Sequence, residues 1–416
     1  MQESLVDEAY KKAIDVLKLN STPMGFSASC EKVDNYYSVW ARDHSICSIA
    51  AVLTGDKELT NIAKKGIALL LRSQKDHGQV PSYIEIENKK KIYGGLGSIT
   101  SIDSNMWLVI ASAFLFKRGN SKTFISNINM VRYHRLYRLL KAFDSNDCGL
   151  LEVHRAGDWA DVFDRTYHVL YDECLYYQTL KALEFLLKEG LNKISDETLR
   201  KKVSKRIRWI RKRRPKVKRK INSVLWLNKN NQTTILDEYM IKHDVDIENF
   251  DYYQSHMMPF KLTWQKRFDS FGNLLAICTK VADKEKSGKI IKHVISNDIN
   301  KPGPVKALYP PVFKNNVDWE HIYRFKEQPY TYHNGGVWPV IAGFWIYSLA
   351  KNNKKRLAKK ELYRLAEMLK EQNWEFNEYM HGKTGKPMGR KNQAWSAAGY
   401  IIGYHAVKSN INLFDF

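Results

Sequence analysis

Cysteine is scarce in this chain of 416 residues, and its five cysteines are widely separated, without a Cys-x-x-Cys pair or a neighbouring histidine cluster. A disulfide framework and a zinc site are therefore not expected. A glycine-rich stretch at 94–97, Gly-Gly-Leu-Gly, has neither the phosphate-loop pattern nor the dinucleotide-binding pattern. We accordingly predict a protein that uses no metal and no cofactor.

Long apolar segments are also missing from the sequence. The longest apolar run, residues 337–350, is shorter than a membrane span and contains Trp, Gly and Pro. The first residues do not show the basic-then-apolar pattern of a secretory signal. We therefore expect a soluble, cytoplasmic protein without a membrane span.

Acidic residues are absent between Glu197 and Asp237, whereas residues 200–220 contain fourteen lysines and arginines. Without these fourteen charges the net charge falls from +23 to +9, so the basic excess is largely local. Apolar residues at 199, 203, 207 and 210 form a stripe at helical spacing beneath the charges. We predict that 198–223 is a basic amphipathic insertion within the fold, with 213–223 as its only plausible linker.

The basic segment 200–220 allows two interpretations. Its charges could form a solvated face, or they could contact an anionic partner such as RNA, an anionic surface or an anionic polymer. The sequence alone leaves both open.

Aromatic residues are plentiful, with eleven Trp and twenty-three Tyr. This number exceeds the usual needs of packing, and flat rings suit sugars, whose C–H faces lie against them. The aromatic content therefore favours a protein that binds carbohydrate.

The apolar pattern predicts about a dozen helices joined alternately by short turns and by long loops. They are expected at 4–18, 44–53, 57–73, 103–117, 128–143, 167–188, 195–212, 271–282, 284–296, 336–350, 355–372 and 393–408. Short strands are expected at 79–84 and 224–226, and no fixed repeat period is visible. We predict an all-α toroid of helical hairpins, built as a single domain over residues 1–416, with the long loops at one rim.

Five loops combine carboxylates or other polar groups with aromatic rings. They lie at 39–43, 101–107, 156–161, 332–339 and 374–400. Loops held by rigid elements commonly carry catalytic groups, so we expect these five to meet at one end of the toroid.

Structural roles are open for several of the same carboxylates. Asp103 could cap its helix, and Arg42 and Asp43 could form a structural ion pair. Asp158 and Asp161 could be acceptors that fix their own loop. The loops therefore predict a site without assigning every residue in it.

Glycosidic hydrolysis fits this collection of residues better than other reaction classes. Cleaving an acetal requires one protonated carboxyl group for the leaving oxygen and a second carboxylate that attacks or activates water. Asp and His side chains bind ring hydroxyls, while Trp and Tyr cover the sugar face. His333 suits a substrate contact or a loop hydrogen bond, because no partner has metal-ligand spacing. No nucleophile elbow and no placed cysteine pair point to other hydrolases.

Two runs of sequence carry a family resemblance. Residues 332–339 read Tyr-His-Asn-Gly-Gly-Val-Trp-Pro, and residues 378–400 contain Glu-Tyr-x-x-Gly-x-x-Gly followed by Gln-x-Trp-Ser-x-Ala-Gly-Tyr. With these runs the chain resembles six-hairpin, (α/α)6-barrel glycosidases, both the neutral/alkaline invertases and the C-terminal α-1,6-glucosidase domain of glycogen-debranching enzymes. The resemblance covers about 36–406, with the basic region near 200–235 outside it. It implies an (α/α)6 toroid with long loops at one rim.

The resemblance also implies roles for individual residues. By similarity, Asp103 in the Asp-x-x-x-Trp run is the general acid, and Glu378 is the general base acting through water. Two carboxyl groups roughly 6.5–9.5 Å apart leave room for that water and give inversion at the anomeric carbon. The predicted substrate-binding residues are Trp40, Arg42, Asp43, Trp107, Asp158, Trp159, Asp161, His333, Asn334, Trp338, Gln393 and Trp395. The run differs from the family pattern at His381, where an acidic residue is usual.

The predicted function is therefore an inverting glycoside hydrolase that removes a terminal α-glucosyl unit, from sucrose or from an α-1,6 branch stub. A hydrolase of an acidic glucoside, such as a glycerate conjugate, is one alternative. The other is a toroid that binds carbohydrate or nucleic acid without catalysis.

Overall fold

The structure is a computed structural model that describes residues 4–242, 247–261 and 266–416. Within these ranges the helices are α1 (Leu5–Leu19), α2 (Ala41–Thr54), α3 (Lys57–Arg72), α4 (Ile102–Arg118), α5 (Asn127–Ala142), α6 (Leu170–Gly190), α7 (Glu197–Val224), α8 (Gln232–Glu238), α9 (Ser270–Cys278), α10 (Lys284–Ser296), α11 (Tyr323–Lys326), α12 (Pro339–Lys351), α13 (Lys355–Glu371) and α14 (Ala394–Lys408). Short 3-10 helices occupy Lys122–Ile125, Leu191–Lys193 and Lys229–Asn231.

Eleven short strands accompany the helices in the described part of the chain. They are β1 (Ser21–Thr22), β2 (Gly25–Phe26), β3 (Ser38–Trp40), β4 (Tyr83–Glu85), β5 (Lys91–Ile92), β6 (His168–Val169), β7 (His256–Met257), β8 (Phe268–Asp269), β9 (Leu308–Tyr309), β10 (Tyr379–Met380) and β11 (Pro387–Met388). They pair antiparallel as β1-β2, β3-β4-β5, β6-β7, β8-β9 and β10-β11. These small ribbons stiffen the loops between helices.

Two concentric rings of helices form the molecule. The inner ring is α2, α4, α6, α9, α12 and α14, in which each helix packs against the next and α14 closes onto α2. The outer ring is α1, α3, α5, α7, α10 and α13. Outer and inner helices alternate along the chain, which confirms the predicted (α/α)6 toroid.

The two rings differ in their residue patterns. In α4 every residue from Ile102 to Leu115 is buried, because an inner helix meets neighbours on all sides. The outer helix α3 instead buries Leu59, Ala63 and Ile67 at spacings of four residues and exposes its charged face. Helices buried on all sides and helices with one exposed face alternate along the chain, and this alternation is what a double ring requires.

The inner helices α12 and α14 cross at very short range. A Cβ atom placed on Gly343 would lie 2.1 Å from the carbonyl oxygen of Gly399, and one on Gly399 would lie 2.5 Å from that of Pro339. Only a hydrogen fits at these positions, so the glycines allow the last inner helix to close the ring.

The first turns of the inner helices lie together at one end of the toroid. Arg42 in α2 donates a hydrogen bond to Asp103 in α4, and Tyr171 in α6 donates to the same carboxylate. The long loops that precede these helices therefore meet at this rim, as the sequence predicts.

Helix α7 differs from its prediction. It continues without interruption through Pro215 to Val224, so the proposed linker at 213–223 is wrong. Its buried face extends with Val217 and Ile221 beyond the predicted end at residue 212, and Pro215 is exposed. Packing of this apolar face against α6 outweighs the backbone hydrogen bond that proline removes. That the segment is an insertion remains a prediction.

Smaller corrections concern element ends. The strand predicted at 224–226 is wrong, because Val224 is the last residue of α7. The strand predicted at 79–84 is limited to Tyr83–Glu85. The helix predicted from residue 167 begins at Leu170, since Tyr167 adopts a left-handed φ of 66° and the next two residues pair with β7.

None of the helices in the described ranges combines the length and the apolarity needed to cross a lipid bilayer.

Candidate active site

A cavity of about 310 Å³ opens at the rim where the inner helices begin. Ten of the fourteen predicted site residues line it: Trp40, Arg42, Asp43, Trp159, Asp161, His333, Trp338, Glu378, Gln393 and Trp395. They come from all the predicted loops except 101–107. The sequence therefore brings together residues more than 300 positions apart around one opening.

Glu378 reaches the cavity from the residue before β10, and its side chain is 6% exposed. The Tyr36 hydroxyl donates to both of its carboxylate oxygens, at 3.1 and 3.2 Å. The backbone passes close behind it at Gly389, where a Cβ atom would lie 2.5 Å from Oε2 and φ is +71°. Glycine at 389 is thus required by the position of this carboxylate.

Burial raises the pKa of Glu378 to about 7. The backbone N–H of Arg390, the Lys326 ammonium and the Tyr36 hydroxyl act against that rise. A carboxyl group with a pKa near neutrality exchanges protons readily at the pH of most cells. Glu378 is thus suited to general acid or base work.

Asp161 also lines the cavity, from the loop after Trp159, as do Asp34 and Asp43. It forms no ion pair among the described residues, and burial raises its pKa to about 6. Arg42 and Lys326 oppose this rise without contacting the carboxylate as salt-bridge partners. Asp161 therefore stays protonated to a higher pH than an ordinary aspartate.

Asp103 lies beneath the cavity and does not line it. Its side chain has no exposed surface, and its Oδ2 accepts from Arg42 at 3.1 Å and from Tyr171 at 3.0 Å. Its Oδ1 accepts from Ser101 at 2.6 Å. Every contact of this carboxylate is therefore with the protein, and it holds Arg42 against the cavity wall. Asp103 thus positions Arg42 in this structure, and its role as the general acid stays a prediction.

Three other predicted contacts also lie away from the cavity. Trp107 is buried and donates to the Tyr171 hydroxyl at 2.9 Å. Asp158 forms a two-oxygen ion pair with Arg165 at 2.7 Å. Asn334 is fully buried and bonds backbone groups on both sides of its loop. These three residues contact other protein groups and do not line the cavity.

Several polar atoms around the cavity are buried without a hydrogen-bond partner in the described structure. They are Trp159 Nε1, His333 Nε2, Gln393 Nε2 and Trp395 Nε1. Buried polar groups are nearly always hydrogen-bonded, so these four atoms are candidates for hydrogen bonds to a ligand. Four groups around one small opening match the many hydroxyls of a sugar ring.

His333 is fixed by Glu327, whose Oε1 lies 2.7 Å from Nδ1. Its ring stacks on Trp338 with a centroid separation of 5.4 Å. Burial, with Arg165 and Lys326 acting in the same direction, lowers the pKa of His333 well below its usual value. The neutral imidazole belongs to the cavity lining, and its Nε2 is buried without a hydrogen-bond partner.

Three of the nine cavity-lining residues that were not predicted have notable contacts. Tyr36 holds Glu378, and Tyr332 lies against Trp338 with ring centroids 5.1 Å apart. Lys326 ends α11 and places its ammonium 4.7 Å from the centroid of the Tyr332 ring. Tyr332 belongs to the 332–339 run, so its proximity to His333 could have suggested it, whereas no sequence pattern marks Lys326.

His381, the departure from the family pattern, lies outside the cavity. Its Nδ1 accepts backbone N–H groups of Lys383 and Thr384, both at 3.2 Å. It stabilises the turn after β10 and does not contact the candidate carboxylates. Across the described ranges, no group of three His, Cys, Asp or Glu side chains is placed to hold a metal ion.

Comparison with known proteins identifies the family and the fold. Residues 7–410 match the model of a glycoside hydrolase family described as alkaline and neutral invertase. The chain belongs to this family. The matched range includes both candidate carboxylates and the whole of α7.

Relatives within the invertase family are plant proteins. The chain is 25% identical over 334 residues to alkaline/neutral invertase C, mitochondrial, from Arabidopsis thaliana, which covers 74% of this chain and 49% of that protein. It is 22% identical over 426 residues to the probable alkaline/neutral invertase D of the same plant, covering 92% of this chain and 77% of the relative. The chain thus spans about half the length of invertase C.

Solved structures with the same fold include glycosidases. A GH63 mannosylglycerate hydrolase from Thermus thermophilus superposes with a TM-score of 0.66 at 12% identity, covering 95% of this chain and 99% of that one. A bacterial glucoamylase complexed with acarbose gives a TM-score of 0.64 at 14% identity, covering 99% of this chain and 57% of the other. At these identities the likeness establishes the toroid fold.

Proposed function

We propose that this invertase-family chain is an inverting glycoside hydrolase that removes a terminal α-glucosyl unit from sucrose or from an α-1,6-linked glucan end. The observation that carries the proposal is the cavity that joins Asp161 and Glu378 with four unpartnered polar atoms. Family membership supports the reaction class.

In the proposed mechanism the sugar ring lies in the cavity beside Trp395, with its hydroxyls bonded to His333 and Gln393. Protonated Asp161 donates its proton to the glycosidic oxygen as the bond to the anomeric carbon breaks. Ionised Glu378 accepts a proton from water, whose oxygen bonds to the opposite face of that carbon. The products are the free alcohol and a sugar of inverted configuration.

Arg42 supports this arrangement from one side of the cavity. Its guanidinium is paired with Asp103 at 3.1 Å and with Asp43 at 3.5 Å, and it lies 5.6 Å from the Trp395 ring centroid. A charged donor held this firmly orients sugar hydroxyls at little cost in entropy on binding. We assign Arg42 and Asp43 to the binding of the glucosyl unit, and Asp103 to holding Arg42.

The proposal is tested by incubating the purified chain with sucrose and with panose, and by measuring released glucose. Glu378→Gln, which keeps the size of the side chain, should reduce turnover by roughly 10²–10⁴-fold without changing the melting temperature. Glu375→Gln is the matched control, because this half-buried carboxylate of the same loop pairs with Lys391 and does not line the cavity. Wild-type turnover in Glu378→Gln would contradict the role of this residue.

An acidic glucoside, such as a glycerate conjugate, is the second candidate substrate. It is favoured by Lys326, an ammonium group at the cavity that forms no ion pair with any described residue. One structure of similar fold carries the name mannosylglycerate hydrolase. Hydrolysis of glucosylglycerate at a higher kcat/KM than sucrose and panose would select this candidate.

We also propose a cytoplasmic location, supported by the name of one relative, cytosolic invertase 1 of rice (Oryza sativa subsp. japonica), which is 29% identical over 143 residues. Other relatives are named mitochondrial or chloroplastic. Fractionation of cells that produce the tagged chain tests this part of the proposal, and its recovery with organelles would contradict it.

An anionic partner at 200–220 stays a separate proposal. Lys205, Arg208 and Lys212 are exposed on the outer face of α7, opposite its buried stripe. If this face binds RNA, affinity should fall steeply with salt concentration and fall further in a variant with these three residues changed to Met. Absence of salt-dependent binding would exclude it.

A further inference from the structure

A second cleft, of about 880 Å³, lies far from the candidate active site. It is formed where α9 and α12 end, at Cys278 and Lys351, whereas the candidate active site is built from the starts of inner helices. Helix α10 and residues 412–415 complete its walls. We call it the lysine cleft, because five lysines line it: Lys218, Lys280, Lys284, Lys351 and Lys354.

Positive charge in the lysine cleft exceeds the negative charge that faces it. The two lining carboxylates are Asp283 and Asp415. Asp283 accepts the backbone N–H of Lys286 as the cap of α10, and Asp415 is shared between Lys280 at 3.2 Å and Lys181 at 3.3 Å. Both carboxylates are therefore already engaged.

Four of the five cleft lysines form no ion pair with a described residue, since Lys218 donates to the Lys280 carbonyl and Lys351 to Asn410, and Lys284 and Lys354 have no such contact. Lys284 and Lys354 are exposed and form no ion pair with any residue that the structure describes. Burial lowers the pKa of Lys351, and the neighbouring ammonium groups of Lys280 and Lys355 lower it further. Like charges are thus crowded around one concave surface, and an anion placed there would relieve their repulsion.

The floor of the lysine cleft is apolar. Ile277, Ile291 and Phe414 lie at its base beside the Tyr347 ring, and all four are buried. A charged rim over an apolar floor is typical of sites for small organic ligands, whose volumes are roughly 300–1,000 Å³. A bare inorganic anion would leave this floor uncovered, and a nucleic-acid duplex would not enter a closed concave space.

We propose that the lysine cleft binds a small phosphate ester, with the phosphate at Lys284 and Lys354 and its organic group over the apolar floor. Lysine ammonium groups bind phosphate as point charges, and a dianion matches an excess of several positive charges better than a carboxylate does. Sugar phosphates and nucleoside monophosphates share this chemistry. The site is independent of the proposed hydrolysis.

Isothermal titration calorimetry of the whole chain tests the proposal with glucose 6-phosphate, adenosine monophosphate, inorganic phosphate and glucose as probes. At least one ester should bind with one site per chain, and glucose should not bind at this site. Lys284→Met combined with Lys354→Met should weaken binding of that ester at least tenfold. Lys212→Met combined with Lys216→Met is the matched control, since it removes the same charge from the exposed face of α7.

Two further variants separate the possible outcomes. Glu378→Gln should bind the ester as the wild type does, because the cleft is remote from the cavity. Ile291→Ser should weaken binding of the ester more than that of inorganic phosphate, since it changes the floor and not the rim. Melting temperatures of all variants verify that they fold.

The proposal is overturned if neither ester binds, or if the control pair weakens binding as much as the cleft pair. Equal affinity for inorganic phosphate and both esters would also overturn it, because the organic group would then make no contact. None of these outcomes depends on whether sucrose or panose is hydrolysed, so the two proposals fail separately.

Discussion

The carboxylates of the rim differ in whether they form ion pairs with arginine. Asp103 and Asp158 are bound to arginines and have no contact with the cavity, whereas Asp161 faces it without an ion pair. A general acid must carry a proton and must reach the leaving oxygen. We propose Asp161 for this role because it lines the cavity without an ion pair to any described residue, while the role of Asp103 as the acid stays a prediction.

Asp161→Asn tests this assignment when two substrates are compared. With an α-glucoside of a sugar, turnover should fall by roughly 10²–10⁴-fold, because the leaving oxygen is no longer protonated. With α-glucosyl fluoride, whose leaving group needs no proton, turnover should stay close to the wild type. Initial rates on both substrates measure the effect.

Asp103→Asn is the matched comparison for Asp161→Asn. It removes the counter-ion of buried Arg42 and should destabilise the fold by about 3 kcal/mol. Its activity should fall on both substrates alike, since the position of Arg42 is disturbed. If Asp103→Asn instead lost activity on the sugar glucoside but kept it on α-glucosyl fluoride, Asp103 would be the general acid.

The pH dependence of kcat/KM follows from the two proposed catalytic carboxylates. With pKa values of about 6 for Asp161 and about 7 for Glu378, the productive form, with Asp161 protonated and Glu378 ionised, is a minor form at every pH. It is most populated between these two values, so the profile should peak there and fall on both sides. Lys326 stabilises the ionised form of both groups, so its ammonium lowers both pKa values. Lys326→Met should therefore move both limbs to higher pH, by roughly half a unit because the lysine is exposed.

Lys314→Met is the control for Lys326→Met, because it removes the same charge from an exposed position that does not line the cavity. Its pH profile should match that of the wild type. An unchanged profile in Lys326→Met would mean that the ammonium does not act on these carboxylates.

Closure of the inner ring depends on the crossing of α12 and α14. A methyl group on Gly343 would overlap the Gly399 carbonyl, so Gly343→Ala should destabilise the chain by about 3 kcal/mol. Gly288→Ala, in the exposed part of α10 where a Cβ meets nothing within 4 Å, should instead stabilise it by up to about 1 kcal/mol. Urea unfolding measures the free energy of unfolding of both variants. Equal changes in the two would contradict the close crossing of α12 and α14.

Helices whose apolar residues recur at regular spacing were predictable from the sequence. Helix α7 is the exception, because its second half was predicted to be a linker. Its first half carries a clear stripe, and the structure confirms it through Val203, Ile207 and Ile210. Pro215 and the run of charges after it suggested a break. Continuation of the helix depends on Val217 and Ile221 meeting a partner surface, which no local pattern reports.

At the scale of the whole molecule, the loops that form the rim were predictable because each carries aromatic and acidic residues together. Which side chain of a loop points into the cavity was not predictable. Asp103 and Asp161 differ in sequence context only slightly, and their different roles depend on Arg42 and Tyr171 reaching from other helices. Contacts across the ring decide between a buried carboxylate and one that faces the cavity.

The toroid also separates its two proposed sites. The cavity lies at the starts of the inner helices, and the lysine cleft lies where α9 and α12 end. A ligand at one end is therefore at least one helix length from the other. Their binding equilibria can be measured one at a time.

The most direct test of the account is a proton NMR time course of the purified chain with sucrose and with panose, using Asp161→Asn as the inactive control. Inversion at an α-linked glucosyl unit releases β-glucose first, and its anomeric signal should appear before mutarotation produces the α form. The sugar that reacts identifies the substrate. Early α-glucose would contradict the inverting mechanism, and no reaction with either sugar would contradict the proposed substrates.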